Sequence, residues 1–111
     1  MADLNTRFAF DELRSLAAAS IVAGYTAIGD SLDYPAIQVT MQNLTDAILL
    51  FSIDGLTNHH VLPANGYFVT DITANQQATR AVRIPAGTMF YVKRLGVPTT
   101  GSVYITVCYA S

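Results

Sequence analysis

The chain has 111 residues, the length of one domain, and reads as a single unit over 1–111 with an N-terminal arm over 1–9. Half of its residues are hydrophobic (51%) and only 13% are charged, with a single Lys (Lys93) and a single Glu (Glu12), so much of its surface carries no charge. A formal net charge of −2, with four bases and no acid after Asp71, is too weakly basic for a phosphate-binding footprint, which argues against direct nucleic-acid binding.

The arm over 1–9 is polar apart from Phe8 and reads as irregular, with a turn around Asp11. Residues 11–19, DELRSLAAA, have helix-forming composition and an acidic start that suits a helix N-terminus. Residues 20–28 then switch to β-branched residues, Tyr and Gly, with Ile21, Ala23, Tyr25 and Ala27 alternating on one face. That alternation favours one strand over 16–28, with a break near Gly24. Gly29 to Pro35 is a loop, and Pro35 pushes Tyr34 toward extended geometry.

Residues 39–55, VTMQNLTDAILLFSIDG, read as strand, turn, strand, turn, in the manner of a hairpin. The strands are 36–42 and 47–53, joined by Asn43-Leu44-Thr45-Asp46. Alternation within 47–53 predicts Phe51 and Ile53 on one face and Leu50 and Ser52 on the other. Further strands follow over 59–62, 67–72, 81–84, 88–95 and 102–110. They are separated by Pro63-Ala64-Asn65-Gly66, a polar loop over 73–79, Pro85-Ala86-Gly87 and the loop 96–101. About eight short strands with closely spaced turn signals predict an all-β fold, an antiparallel β-sandwich or jelly roll.

Candidate chemistry is sparse. His59 and His60 are adjacent, and neighbouring strand residues point to opposite faces, so the two rings do not readily share a metal. No Ser sits in a Gly-x-Ser-x-Gly elbow. Asp46, Asp54 and Asp71 each fall at a turn or strand end, where a carboxylate ordinarily bonds nearby backbone N–H groups. No cofactor and no enzymatic activity are expected. Cys108 lies in an apolar strand and reads as a buried core residue. The N-terminal residues lack a basic and then apolar leader, and no apolar run is long enough for a spanning helix, so a cytoplasmic, membrane-free setting is expected. Six Tyr and five Phe could line a sugar-binding face, but core packing is the commoner fate of strand aromatics, and there is no Trp. The bases after Asp71 suit either a solvated rim or a patch facing an acidic protein partner.

The order Ser20-Ile21, Tyr25, Ile28-Gly29, Pro35-Ala36, then Gln42-Asn43-Leu44-Thr45-Asp46-Ala47 and Phe51-Ser52-Ile53-Asp54-Gly55 resembles a known group. So do Leu62-Pro63-Ala64, Pro85-Ala86-Gly87-Thr88, Tyr91-Val92-Lys93 and Pro98-Thr99-Thr100-Gly101-Ser102-Val103-Tyr104. The group is the small β-sandwich virion structural proteins of tailed bacteriophages. Within it the chain is most similar to capsid staple or cement proteins of epsilon-fifteen-like short-tailed phages.

The resemblance implies a decoration protein on the capsid exterior, assembled in the host cytoplasm. Its partner would be the major capsid protein, and it would act as a homodimer or another homo-oligomer. A head–tail connector or tail ring protein of the same fold is one alternative, and a carbohydrate-binding module is another. The expected interface consists of the arm residues Asn5, Thr6, Arg7, Phe8 and Phe10, reaching a neighbouring subunit, and the bases Arg80, Arg83, Lys93 and Arg94 in interchain ion pairs.

Overall fold

The computed structural model describes residues 8–71 and 83–110, with Phe8 and Ala110 described by their backbone alone. Two antiparallel sheets face each other as a β-sandwich. Nine strands stand among the described residues: β1 (Phe8–Phe10), β2 (Arg14–Ala17), β3 (Thr26–Ala27), β4 (Ala36–Asn43), β5 (Leu49–Ser52), β6 (His60–Leu62), β7 (Tyr67–Asp71), β8 (Tyr91–Arg94) and β9 (Ser102–Ala110). The only helical element among them is a 3-10 turn, Ala18–Ser20.

The larger sheet runs β1-β9-β4-β7, with β2 also pairing β9, and the smaller runs β3-β8-β5-β6. β9 is the spine of the larger sheet. It pairs β1 near its C-terminal end, β2 near its start and β4 along most of its length. The core is the apolar layer between the sheets. β4 contributes Val39 and Met41, β5 Leu49 and Phe51, β8 Val92, and β9 Val103, Ile105 and Val107. Alternation on these strands sends every second side chain inward.

The 39–55 segment is not a hairpin. β4 and β5 lie in opposite sheets, and the residues between them arch across the sandwich. Both strands carry large apolar side chains on one face. Packing those faces against each other buries more apolar surface than pairing the strands edge to edge. The arch is built on Asn43, which is fully buried. Its Nδ2 donates to the carbonyls of Ala47 (2.8 Å), Leu62 (3.1 Å) and Pro63 (3.0 Å). Its Oδ1 accepts from the Thr45 N–H (3.0 Å) and the Thr45 hydroxyl (2.6 Å). One amide therefore ties the end of β4 to the arch and to the β6–β7 connection.

The predicted strand over 16–28 is instead β2, the 3-10 turn and β3, and its two ends join different sheets. The three alanines at 17–19 have no strand preference, and the chain crosses the sandwich there. Phe8–Phe10 is a strand on the end of β9 rather than irregular arm. The segment predicted over 47–53 pairs only over Leu49–Ser52. Phe51 is buried at 1% exposure, but Ile53 has left the sheet and is 48% exposed. Ser52 is buried, because the following loop folds back over it. Residues 88–95 pair only over Tyr91–Arg94, and Ile84 forms a single bridge to Ala36. The polar loop predicted over 73–79 lies outside the described residues.

Arg14 is buried on the inward face of β2. It donates to the carbonyls of Asp30 (2.7 Å), Glu12 (2.7 Å) and Ser31 (3.0 Å), and its guanidinium lies 3.4 Å from the Asp11 carboxylate. The 29–31 loop is thereby pinned to the sheet edge. Gly29 sits at φ +67°, and a Cβ there would stand 2.8 Å from the Arg14 side chain, so the close approach requires glycine.

Phe51→Ala should cost about 3–5 kcal/mol of stability, and Ile53→Ala less than about 1 kcal/mol, in urea unfolding. Asn43→Ala removes a donor from the buried bonds to the Ala47 and Leu62 carbonyls and from the part-buried bond to Pro63, and should cost about 3 kcal/mol, lowering the melting temperature by more than about 10 °C.

Candidate interaction surface

Among the described residues, Ser, His and Asp side chains come together at the β5–β6 connection. The Ser52 hydroxyl donates to Asp54 Oδ1 (2.8 Å) and accepts the N–H groups of Asp54 (3.1 Å) and Gly55 (3.0 Å). Asp54 Oδ1 also accepts the N–H groups of Leu56 and Thr57, both at 2.8 Å. His59 Nδ1 accepts the Ile53 N–H (3.1 Å), and its Nε2 stands 3.9 Å from Asp54 Oδ2. The hydroxyl hydrogen goes to the carboxylate rather than to the imidazole, and the imidazole lone pair is occupied by a backbone donor. This is a brace that closes a loop over Ser52, as predicted for Asp54 at a turn. These bonds, the Thr57 and Leu56 N–H groups first, hold the Asp54 carboxyl well below the ordinary carboxylate range. Among the described residues no group of three or more His, Cys, Asp or Glu side chains could hold a metal ion.

The predicted interface residues that the structure describes lie in different parts of the fold. Asn5, Thr6, Arg7 and Arg80 lie outside the described residues. Phe8 is a backbone partner of Ala110, and Phe10 is 67% exposed at the edge of the larger sheet. Arg83 is half-buried ahead of the Ile84 bridge. Lys93 and Arg94 are neighbours on β8, in the other sheet. Lys93 lies over the Tyr25 ring, 4.7 Å from its centre, and the Tyr25 hydroxyl donates to Asn58 Oδ1 at 2.5 Å. Cys108 is buried, as expected, and burial pushes its thiol up.

A different surface emerges at the end of the sandwich that Asn43 holds together. Three loop segments meet there and carry exposed aliphatic side chains: Val22, then Leu44 and Ile48, then Leu95 (59% exposed) and Val97 (67%). Backbone hydrogen bonds fix them to one another. Arg94 N–H donates to Val22 O (3.0 Å), Gly96 N–H to Ile48 O (2.9 Å) and Leu44 N–H to Ser102 O (3.0 Å). Asp46 adds a brace 53 residues long in sequence. It accepts the Thr99 N–H (2.7 Å), the Thr99 hydroxyl and the Thr100 N–H (3.3 Å). Gly101 completes the fit, since at φ +87° a Cβ there would overlap the Leu44 carbonyl. The arrangement presents aliphatic tips on loops already ordered, with Arg94 at the rim.

Its position at a turn predicts that Asp46 bonds its own loop. The structure sends it to residues 99 and 100 instead, a pairing with no local signal. The exposed tips were equally hidden, since an aliphatic residue beside a strand reads as core until the chain turn is known.

No protein-family model matches the chain, and no curated protein matches it.

The Asp46 bonds, the Thr99 side chain first, lower its carboxyl from 3.8 to about 2. A folded-state value below the unfolded one means stability that is present above pH 4 and lost as pH falls toward 2. Chemical denaturation between pH 6 and pH 2 should show that loss, and Asp46→Asn should flatten it, leaving the part due to Asp54.

Proposed function

We propose that the protein is a non-enzymatic virion structural protein of a tailed bacteriophage. It staples or decorates the capsid exterior by binding the major capsid protein. The observation that carries this reading is the braced loop end, where Val22, Leu44, Ile48, Leu95 and Val97 expose aliphatic surface on an ordered frame. Isolated exposed aliphatics need no explanation, but five on interlocked loops form a surface suited to a protein partner. Loops fixed before contact lose little conformational entropy on binding, so a small area is used efficiently. Many copies related by capsid symmetry then add weak contacts together. The residue resemblance supplies the phage setting. Arg94, exposed at the rim, acts on register and attachment rate more than on total affinity.

The test is attachment of the purified chain to capsid shells stripped of it. Replacing Leu95 and Val97 together with Asp should lower occupancy by at least about tenfold, equal to about 1.4 kcal/mol, at every salt concentration. Arg94→Gln should slow attachment only at low salt. Parent-like binding of the Leu95/Val97 variant would move the docking face elsewhere. A copy number near a dozen per particle, instead of hundreds, would identify a connector or tail ring.

A further inference from the structure

The outer face of the larger sheet carries side chains that core packing does not explain. The strand registers place Tyr104 of β9 beside Gln42 of β4, and Gln42 beside Tyr67 of β7. Ser15 of β2 continues the same row beyond Tyr104. The next row on that face is Thr106, Thr40 and Val69. Their strand neighbours Val39, Met41, Val103, Ile105 and Val107 are buried in the core, so alternation turns these side chains outward. Tyr67 is 69% exposed. Neither the Gln42 amide, nor the Thr40 and Thr106 hydroxyls, nor the two phenols have a hydrogen-bond partner among the described residues. The two rows contain no charge, and the row after them, Gln38 beside Asp71, adds one acid and no base. A sheet face that meets only water ordinarily mixes in Lys, Arg, Asp and Glu.

We propose that this face binds a neutral, unbranched oligosaccharide laid across the strands, its sugar rings stacked on Tyr67 and Tyr104 and its hydroxyls bonded by Gln42, Thr40 and Thr106. Three features select that ligand. Two strand spacings separate the tyrosines, about 10 Å, which is about twice the ring-to-ring repeat of a linked pyranose chain, so alternate rings meet the two phenol rings. Gln42, midway between them, offers two donors and an acceptor, and the threonine hydroxyls do both, which matches a ligand whose every polar group is itself donor and acceptor. The absence of a base from these rows, with the acid Asp71 in the next, disfavours phosphorylated, sulfated or uronate chains, which call for Arg or Lys. The sugar face adjoins the loop end at Gln42 to Leu44 but shares none of its aliphatic residues, so it stands or falls independently of the capsid reading.

The full chain should be titrated with cellohexaose, laminarihexaose and maltohexaose, and with a galacturonic acid hexamer as the charged comparator, following amide chemical shifts. At least one neutral hexaose should bind with a dissociation constant of about 1 mM or tighter. The shifts should map to β4, β7 and β9. Tyr67→Ala should weaken binding by about tenfold, about 1.4 kcal/mol, and Tyr67→Phe should retain it. Because Tyr67 is exposed, the urea midpoint of Tyr67→Ala should match the parent, which separates a lost contact from a lost fold. Gln42→Ala should also weaken binding. The proposal is overturned if no neutral hexaose shifts the face at about 10 mM, if Tyr67→Ala and Gln42→Ala bind like the parent, or if the galacturonate hexamer binds more tightly than every neutral one.

Discussion

The Asn43 side chain is the interaction on which the rest of this sandwich depends. A chain that crosses between sheets must leave a backbone without ladder partners in the crossing, and a buried carbonyl without a donor costs about 1–3 kcal/mol. Here one amide meets three carbonyls, from Ala47, Leu62 and Pro63, while its oxygen takes the Thr45 hydroxyl and N–H. With that node in place, β4 and β5 can lie face to face, and β6 can pass the chain back to β7 in the larger sheet. An aliphatic residue of similar size would fill the space and leave the arch unpaired. An aspartate would set a charge against three carbonyl dipoles.

Arg14 solves the matching problem on β2, at the edge of the larger sheet. A guanidinium facing inward is costly without partners, and three carbonyls and one carboxylate supply them. The inward charge and the irregular 11–13 stretch also blunt the β1/β2 edge against pairing with another chain. β7 is treated differently. Its five residues run in unbroken register with β4, and Tyr67, Phe68 and Val69 are all exposed. His60 of the smaller sheet packs on the Phe68 ring at 4.1 Å, closing the sandwich on that side.

The two proposed surfaces draw on the same shortage of charge in different ways. At the loop end, aliphatic tips stand on a frame fixed by Asp46 and Gly101, a geometry that favours desolvation against another protein. On the outer sheet face, neutral amides, hydroxyls and phenols stand in rows at strand spacing, a geometry that favours a hydroxyl-rich ligand. Asp46 and Asp54 accept several N–H groups each and act as braces. Removing either would loosen a loop without uncovering core.

The sequence by itself determined the all-β class, the positions of most strands and the burial of Cys108, because period-two alternation and turn residues are local signals. Ser102–Ala110 was legible in full, since an uninterrupted β-branched and aromatic run leaves no competing reading. Only the tertiary structure decided which strands pair. A turn such as Asn43 to Asp46 looks alike whether it closes a hairpin or arches between sheets, and the choice is made by burial of two apolar faces far apart in the chain. The same distance effect split residues 16–28 between sheets and carried Asp46 to Thr99. It also turned Tyr67 and Tyr104 outward, although strand aromatics usually pack inside. Local chemistry fixes what a segment can be, whereas the face it shows to water is set by whichever strand arrives opposite.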